Sequence, residues 1–254
     1  MRSIWKGAIG FGLVNIPVKL YSASQSSDLD LDMLDKKDRA HIRFHRVNED
    51  TGKEVKWDNI VKAYKYNGEY VELSDKDFAQ ASPQKSKIIE INHFISEEDV
   101  ESIYFETPYY LEPEKSGEKA YVLLRDALKK SGKAGVGSFV LRSKEHLCIV
   151  KPYEKVIVLN KIRFAEEIRD TSAIKVPAAA KPKAPELKMA LNLIDQLTTP
   201  FKIDTFKDTY SAELMKLIRA KAKGKPLKTT PMKVTHRKTD DLMSMLKASI
   251  KRAS

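Results

Sequence analysis

The 254-residue sequence contains a single cysteine, Cys148, set in the apolar stretch HLCIV. One thiol cannot close an intramolecular disulfide, so the fold must be held by its core and nothing demands an oxidising compartment. His146 is the only base beside it, and free cysteines favour cores, so a packed thiol is expected rather than a nucleophile. No uninterrupted apolar run approaches the roughly 18–20 residues that a membrane-spanning helix needs. The chain reads as soluble and cytosolic. The opening stretch IWKGAIGFGLVNIPVKLY is the nearest thing to a secretory segment, with Arg2 before it and SAS at 22–24 after it. Asn15, Pro17 and Lys19 interrupt it, which disfavours export.

Catalytic signatures are equally scarce. Gly7, Gly10 and Gly12 give G-x-x-G-x-G, whereas the dinucleotide fingerprint runs G-x-G-x-x-G between a strand and a helix. Here Pro17 and a second strand follow where the helix should begin. The phosphate-loop pattern and the G-x-S-x-G elbow are both absent. Glycine in this stretch is expected to let strands bend or backbones approach closely.

Metal chemistry fares no better. His41 and His45 in HIRFH would share one ion on a helix face, but on a strand they stand roughly 13 Å apart. A basic surface strip is the better reading there. The run DLDLDMLDKKD supplies Asp28, Asp30, Asp32, Asp35 and Asp38. A two-metal nuclease usually gathers carboxylates from separated elements, and this run reads as an exposed loop. A binding protein with no cofactor and no metal is favoured over an enzyme.

What the chain does have is unevenly placed positive charge. The formal net charge is +11. Residues 1–176 carry 29 basic and 28 acidic side chains, whereas residues 177–254 carry 17 and 7. From Lys216 to Lys238 there are nine basic residues and no acidic one. Such a segment attracts a polyanion, either nucleic acid or an anionic membrane face; the plain alternative is a solvated helix face plus linker.

Up to about residue 165 the pattern is mostly period two with turn punctuation, the mark of β-structure. The opening stretch reads as two strands joined through Gly12 to Pro17. Trp5, Ile9 and Phe11 share a face of the first, and Val18 and Leu20 lie in the second. RAHIRFHRV alternates Ile42 and Phe44 against His41, Arg43 and His45. VKAYKYNGEYVEL holds Asn67-Gly68 between aromatic strands, a type I′ hairpin signal. KSKIIEINHFI puts Ile89, Ile91 and Ile95 on a shared face. After Gly135 three strands form a meander that turns near Ser143-Lys144 and Pro152-Tyr153.

Helices are expected after two caps, Ser74 with Asp77 and Ser96 with Asp99. A firmer one lies in GEKAYVLLRDALKKSG, with Leu124, Ala127 and Leu128 on a stripe and Gly132 as its stop. Near VPAAAKPKAP, residues 176–185, the composition becomes that of a linker. Helical stripes follow: Leu187, Leu191, Ile194 and Leu197; then Leu214, Leu217 and Ile218; then Leu242, Leu246 and Ile250 in a helix starting at Thr239.

The opening MRSIWKGAIGFGLVNIPVKLYSA closely resembles the start of bacterial Ku proteins, the DNA-end-binding factors of non-homologous end joining. The likeness continues in FETPYYLEPEKSGEKAYVLLRDAL, FVLRSKEHLCIV, EEIRD, ELKMALNLIDQLTTPF and DTYSAELMKLI, in family order over nearly the whole chain. The resemblance implies a mixed, mainly β fold: a Ku-type β-barrel core with flanking helices and a DNA-encircling arm in residues 1–175. A helical, lysine-rich C-terminal region would follow in 176–254, with helices at about 186–222 and 239–252. It further implies a homodimeric ring threaded by double-stranded DNA ends, recruitment of the multifunctional end-joining ligase, residence with the nucleoid in the bacterial cytosol, and no catalysis.

A ring needs basic side chains aimed at phosphates and none that read bases. Arg142 and Lys144, in the family-like FVLRSKEH, are the favoured phosphate ligands. Lys36, Lys37, Arg39, Arg43 and Arg46 form the densest basic cluster of the β-region, suited to the inner face of an arm. Arg2 and Lys6 rank lower because the first strand reads as barrel wall. Lys221, Lys223, Lys225 and Lys228 would touch DNA beside the ring, while Leu191, Ile194 and Leu217 would pack on the core or serve the ligase. For Trp57, Tyr109 and Tyr110, core or dimer packing is favoured over base stacking.

Two departures qualify the resemblance. Many bacterial relatives carry a C-x-x-C pair where this chain reads RVNEDTGKEV, so Asn48 and Thr51 occupy the cysteine places and any zinc or redox role there is lost. The sequence stops soon after KASIKRAS, without the long lysine-rich extension of some relatives, which puts end bridging and inward sliding in doubt. The main competing reading is a general basic nucleic-acid binder without end specificity.

Overall fold

The computed structural model describes residues 1–81, 87–176, 183–224 and 242–253. They fall into two compact units: residues 1–26 with 31–170, and residues 27–30 with 171–254.

The first unit is built on β1 (Trp5–Phe11) and β2 (Val14–Ser22), paired antiparallel with Trp5 opposite Leu20 and Ile9 opposite Ile16. Ile9, Ile16, Val18 and Leu20 are fully buried, as alternation predicts for a wall with one apolar face. The turn is tighter than the Gly12–Pro17 connection expected from sequence. Only Gly12 and Leu13 separate the strands, Gly12 at φ 57°, and Pro17 lies within β2 opposite Ala8. A proline is tolerated there because pairing with β6 (Phe105–Pro113) stops at Val18 opposite Pro113. The Pro17 carbonyl on that side still accepts from the Glu114 N–H at 2.9 Å.

Five further strands close a seven-stranded barrel. They are β5 (Ile88–Ser96), β6, β7 (Lys133–Leu141), β8 (Lys144–Tyr153) and β9 (Val156–Ile162), in spatial order β1-β2-β6-β9-β8-β7-β5. The β1–β5 pair that completes the ring is parallel, and all the others are antiparallel. Closure depends on backbones lying close together. A Cβ at Gly137 would meet the Glu90 carbonyl oxygen at 2.0 Å, and one at Gly7 would meet the Lys87 carbonyl oxygen at 2.2 Å. The expected role of glycine in close approach therefore holds.

β5 departs from simple alternation. An irregularity between Ile91 and His93 breaks its register, so Ile89 and Ile91 are buried while Ile95 is only half-buried. The meander turns at Arg142-Ser143 and Glu154-Lys155, one or two residues from the expected places. Cys148 sits wholly inside with Phe139, Val150 and Leu159, and burial pushes its thiol up to about 12. It is a packing residue.

Helix α2 (Glu118–Ser131) covers one end of the barrel and stops at Gly132, φ 63°. Its buried stripe is Tyr121, Leu124 and Leu128; Ala127 is exposed, because the core lies nearer the Tyr121 side. The Tyr121 hydroxyl donates to the Leu111 carbonyl and accepts from the Ile157 N–H, both at 2.6 Å. One phenol thus ties the end of β6 to the start of β9 in a buried setting, where each bond matters most.

Between β2 and β5 the chain makes a long excursion. Residues 23–61 contain no regular strand, only the isolated bridges Leu34–His41 and Val47–Glu54. The strand expected over RAHIRFHRV is therefore missing. Its alternation finds no neighbouring strand, and Phe44 is left 80% exposed. The Asn67-Gly68 hairpin does form, between β3 (Lys62–Tyr66) and β4 (Glu69–Leu73), with φ 50° and 93° in the turn. Helix α1 (Asp75–Ala81) follows, and the Asp77 carboxylate accepts from both the Ser74 N–H and hydroxyl. The second expected cap, Ser96, opens only a single 3-10 turn at Glu97–Asp99 and its side chain does not cap it; the hydroxyl accepts instead from the Lys133 ammonium at 2.8 Å.

The second unit contains α3 (Ala184–Leu197), α4 (Thr209–Ala222) and α5 (Leu242–Ala253), with α3 packed along α5. The two helical stripes expected within about 186–222 lie on α3 and α4, which residues 198–208 separate. Asp208 caps α4 by accepting from the Ser211 N–H at 3.1 Å. Leu246 and Ile250 are half-buried, and the stripe Leu187, Leu191, Ile194 and Leu197 is exposed. Residues 177–182 of the expected linker lie outside the described residues.

Candidate nucleic-acid interface

The barrel end opposite α2 is open and basic. Register explains why. His146 lies opposite Phe139 and Lys161 opposite Cys148, so both stand on rows whose other members form the core. At the end of the barrel those rows run out of apolar residues, and their last members are Lys144, His146 and Lys161. Arg142 joins them from the β7–β8 turn, where Arg142 and Ser143 hold φ 53° and 68°. These four basic residues, with Tyr109 and Leu141, line a cavity of about 400 Å³. Arg142 and Lys144 also line an adjoining cavity with Lys62, Asp75 and Phe78 of the excursion.

Charge within this mouth is crowded. Burial, followed by the Lys161 and Lys144 ammonium groups, lowers the His146 pKa, while Glu106 and the Leu141 carbonyl act the other way. Glu106 pairs with Lys161 at 3.0 Å. Sequence reasoning placed Arg142 and Lys144 here but missed His146 and Lys161. A signal existed: in VIVLNKI, Lys161 keeps the phase of the buried Ile157 and Leu159.

The second basic group lies in the excursion, every member exposed. Lys36, Lys37 and Arg39 crown a turn in which the Asp35 carboxylate accepts from the Lys37 N–H at 2.7 Å, and Arg39 adopts φ 66°. Arg43 and Arg46 follow along extended chain, the Arg46 guanidinium 4.5 Å from the centre of the Trp57 ring. Trp57 is 66% exposed, so of the core or dimer packing expected for it, packing in the core of its own chain does not occur. Tyr109 does pack against the core and Tyr110 is half-buried. His45 pairs with Glu54 at 2.9 Å, and among the described residues no group of three His, Cys, Asp or Glu could hold a metal. At the place of the family's C-x-x-C, the Asn48 carboxamide oxygen accepts from the Thr51 N–H at 2.9 Å and its hydroxyl at 3.1 Å. Hydrogen bonds close this turn without sulfur.

Other expected site residues are dispersed. Arg2 is exposed near the N-terminus, and Lys6 stands on the outer barrel wall opposite Lys19. Lys221 lies in the last turn of α4 and Lys223 at its C-terminal cap; Lys225 and Lys228 fall outside the described residues. Leu191 and Ile194 lie on α3 and Leu217 on α4, all exposed. Among the described residues no helix is long and apolar enough to cross a membrane.

A family model described as the Ku70/Ku80 beta-barrel domain matches residues 10–189, which take in six of the seven barrel strands and the end of β1. The chain belongs to the Ku family. Relatives named Non-homologous end joining protein Ku agree over nearly its whole length. That of Coxiella burnetii is 41% identical, covering 98% of this chain and 94% of its own. That of Bacillus subtilis is 39% identical over 99% and 82%. The archaeal protein of Archaeoglobus fulgidus is 39% identical over 89% and 90%. Ku proteins are end-joining factors rather than enzymes, and the Ku barrel and helical C-terminal region expected from sequence are both present.

Proposed function

We propose that the chain acts in non-homologous end joining as a homodimer whose two excursions close a ring around double-stranded DNA ends, in the bacterial cytosol. The observation that carries this reading is the near full-length match to relatives named for end joining. Two features support it. The excursion displays Lys36, Lys37, Arg39, Arg43 and Arg46 on exposed chain, and the barrel mouth gathers Arg142 and Lys144 beside it. Phosphate contacts of this kind bind without reading sequence, and selection for ends follows from topology, since a closed ring loads only where a duplex stops. Arg2, Lys6, Lys221, Lys223, Lys225 and Lys228 are assigned supporting contacts outside the ring. Leu191, Ile194 and Leu217, exposed on α3 and α4, are assigned to docking the end-joining ligase.

The experiment is a gel shift comparing linear duplex with a covalently closed circle of the same sequence, combined with the protein's mass in solution. Binding to the linear form alone, by a dimer, is the expected result. Equal affinity for both forms removes the ring. Single strands competing as well as duplex ends would instead favour a general basic nucleic-acid binder, for which exposed pairs such as Arg46 on Trp57 would serve as stacking platforms.

A further inference from the structure

Cations rarely occupy the inward rows of a barrel. Lys144, His146 and Lys161 do so here, above a floor of Phe139 and Cys148 that excludes water and lowers the local dielectric. Arg142 closes the same cavity from the turn, and Glu106, which pairs with Lys161, is the acidic group that acts on His146. Such crowding of like charge costs stability unless something answers it. The lining of the cavity suits an oxyanion: a planar guanidinium for two oxygens, two ammonium groups, and an imidazole that can donate when protonated.

We propose that the barrel mouth is a binding site for a single phosphate group, that this phosphate belongs to the backbone of duplex DNA, and that His146 takes up a proton from solvent as it enters. The proposal rests on the DNA-binding reading above and assigns one contact within it. In the free protein, burial and the two ammonium groups lower the His146 pKa below its ordinary value. The single negative charge of an arriving phosphodiester offsets the neighbouring ammonium groups, so the imidazolium is favoured more in the complex than in the free protein. The pKa of His146 is then higher bound than free. Affinity is therefore fully enhanced at pH values below the free pKa, and the enhancement is lost as pH rises through the bound pKa. Glu106 acts as a competitor. It holds Lys161 at 3.0 Å until the phosphate draws that ammonium away.

The test is calorimetric titration of the full chain with a short blunt duplex, near pH 6.5, in two buffers of different ionisation heat. Wild type should take up a fraction of a proton per duplex contact, with affinity falling by up to about tenfold per pH unit across the transition. His146→Gln should abolish that uptake and flatten the pH profile. Glu145→Gln, on the outward row of the same strand, should keep it. Lys161→Met should weaken duplex binding and reduce the salt slope by about one, whereas Glu106→Gln should tighten it. Melting curves matching wild type exclude misfolding as the cause.

Duplex binding with proton uptake unchanged in His146→Gln, or with a salt slope unchanged in Lys161→Met, overturns the proposal and leaves the end-binding reading standing. Failure of the wild type to bind duplex at all removes that reading and the proposal with it. Inorganic pyrophosphate is the remaining arm. If it perturbs the His146 ring resonances while duplex does not, the mouth serves a free anion and the DNA assignment is overturned.

Discussion

The barrel and its excursion are made of similar residues but treat them in opposite ways. In the barrel, Ile9, Leu20, Leu111, Phe139 and Leu159 are sealed from water. In the excursion, Phe44, Trp57, Tyr64, Tyr66 and Tyr70 stand 63–80% exposed. Burying one large apolar side chain is worth about 1.5–3 kcal/mol, so the barrel holds itself together and the excursion does not. The excursion is shaped by short-range bonds instead: the Asp35 turn, the Asn48–Thr51 turn, the Asn67-Gly68 hairpin and the Ser74–Asp77 cap. Its aromatic and basic side chains are left available for a surface outside their own segment. In the proposed ring the barrel is the mount and the excursion the strap.

The sharpest way to break the comparison is at barrel closure. Gly137→Val drives side-chain atoms into the Glu90 backbone, so a loss of about 3–5 kcal/mol is expected in chemical denaturation. Next is Tyr121→Phe, which strips the Ile157 N–H of its partner inside the barrel and should cost about 1–3 kcal/mol. Phe44→Ser tests the other side. It should change denaturation by no more than about 0.5 kcal/mol, while assembly or duplex binding in a gel shift suffers. A large loss of chain stability there would show that the excursion is held by packing after all.

The smallest effect concerns pH. Hydrogen bonds from the Ser74 hydroxyl and N–H lower the Asp77 pKa below 3.8, its ordinary value. The bound form is the carboxylate, so the α1 cap is complete above that ordinary value and is lost as pH falls through the lowered one. Amide exchange in α1 should therefore quicken in acid while barrel amides stay protected, and Asp77→Asn should show the fast exchange already at neutral pH.

How much of this was legible depended on whether the pattern was local. Asn67-Gly68, the Ser74–Asp77 box and α2 with its Gly132 stop were readable because each signal and its structural answer lie within a few residues. The inward phase of β1 and β2 was readable because a barrel wall enforces alternation. RAHIRFHRV alternates just as well yet forms no strand, since a strand exists only beside another and no local signal reports the neighbour. Ser96 misled for a related reason: its acidic partner is present, but no apolar helical stripe follows to extend the turn. In the candidate site, Arg142 and Lys144 were found through resemblance and sit together at the mouth. The phase of Lys161 with Ile157 and Leu159 was a signal that it faces inward, but its meeting with His146 and Arg142 at one barrel end depends on the register of β7, β8 and β9, which sequence spacing does not print.

The excursion leaves the barrel after Ser22 of β2 and returns at Ile88 of β5, strands that flank β1 on its two sides. Both attachment points lie towards the mouth end, because Ser22 pairs with Tyr109 and the Lys87 carbonyl holds the Ala8 N–H. A pull directed out of the mouth would therefore run along β2 and β5 rather than across them. Ladder bonds on both flanks of β1 would share that tension in shear, instead of parting one after another like a zip. A segment with little cohesion of its own is thus moored where the barrel resists traction best.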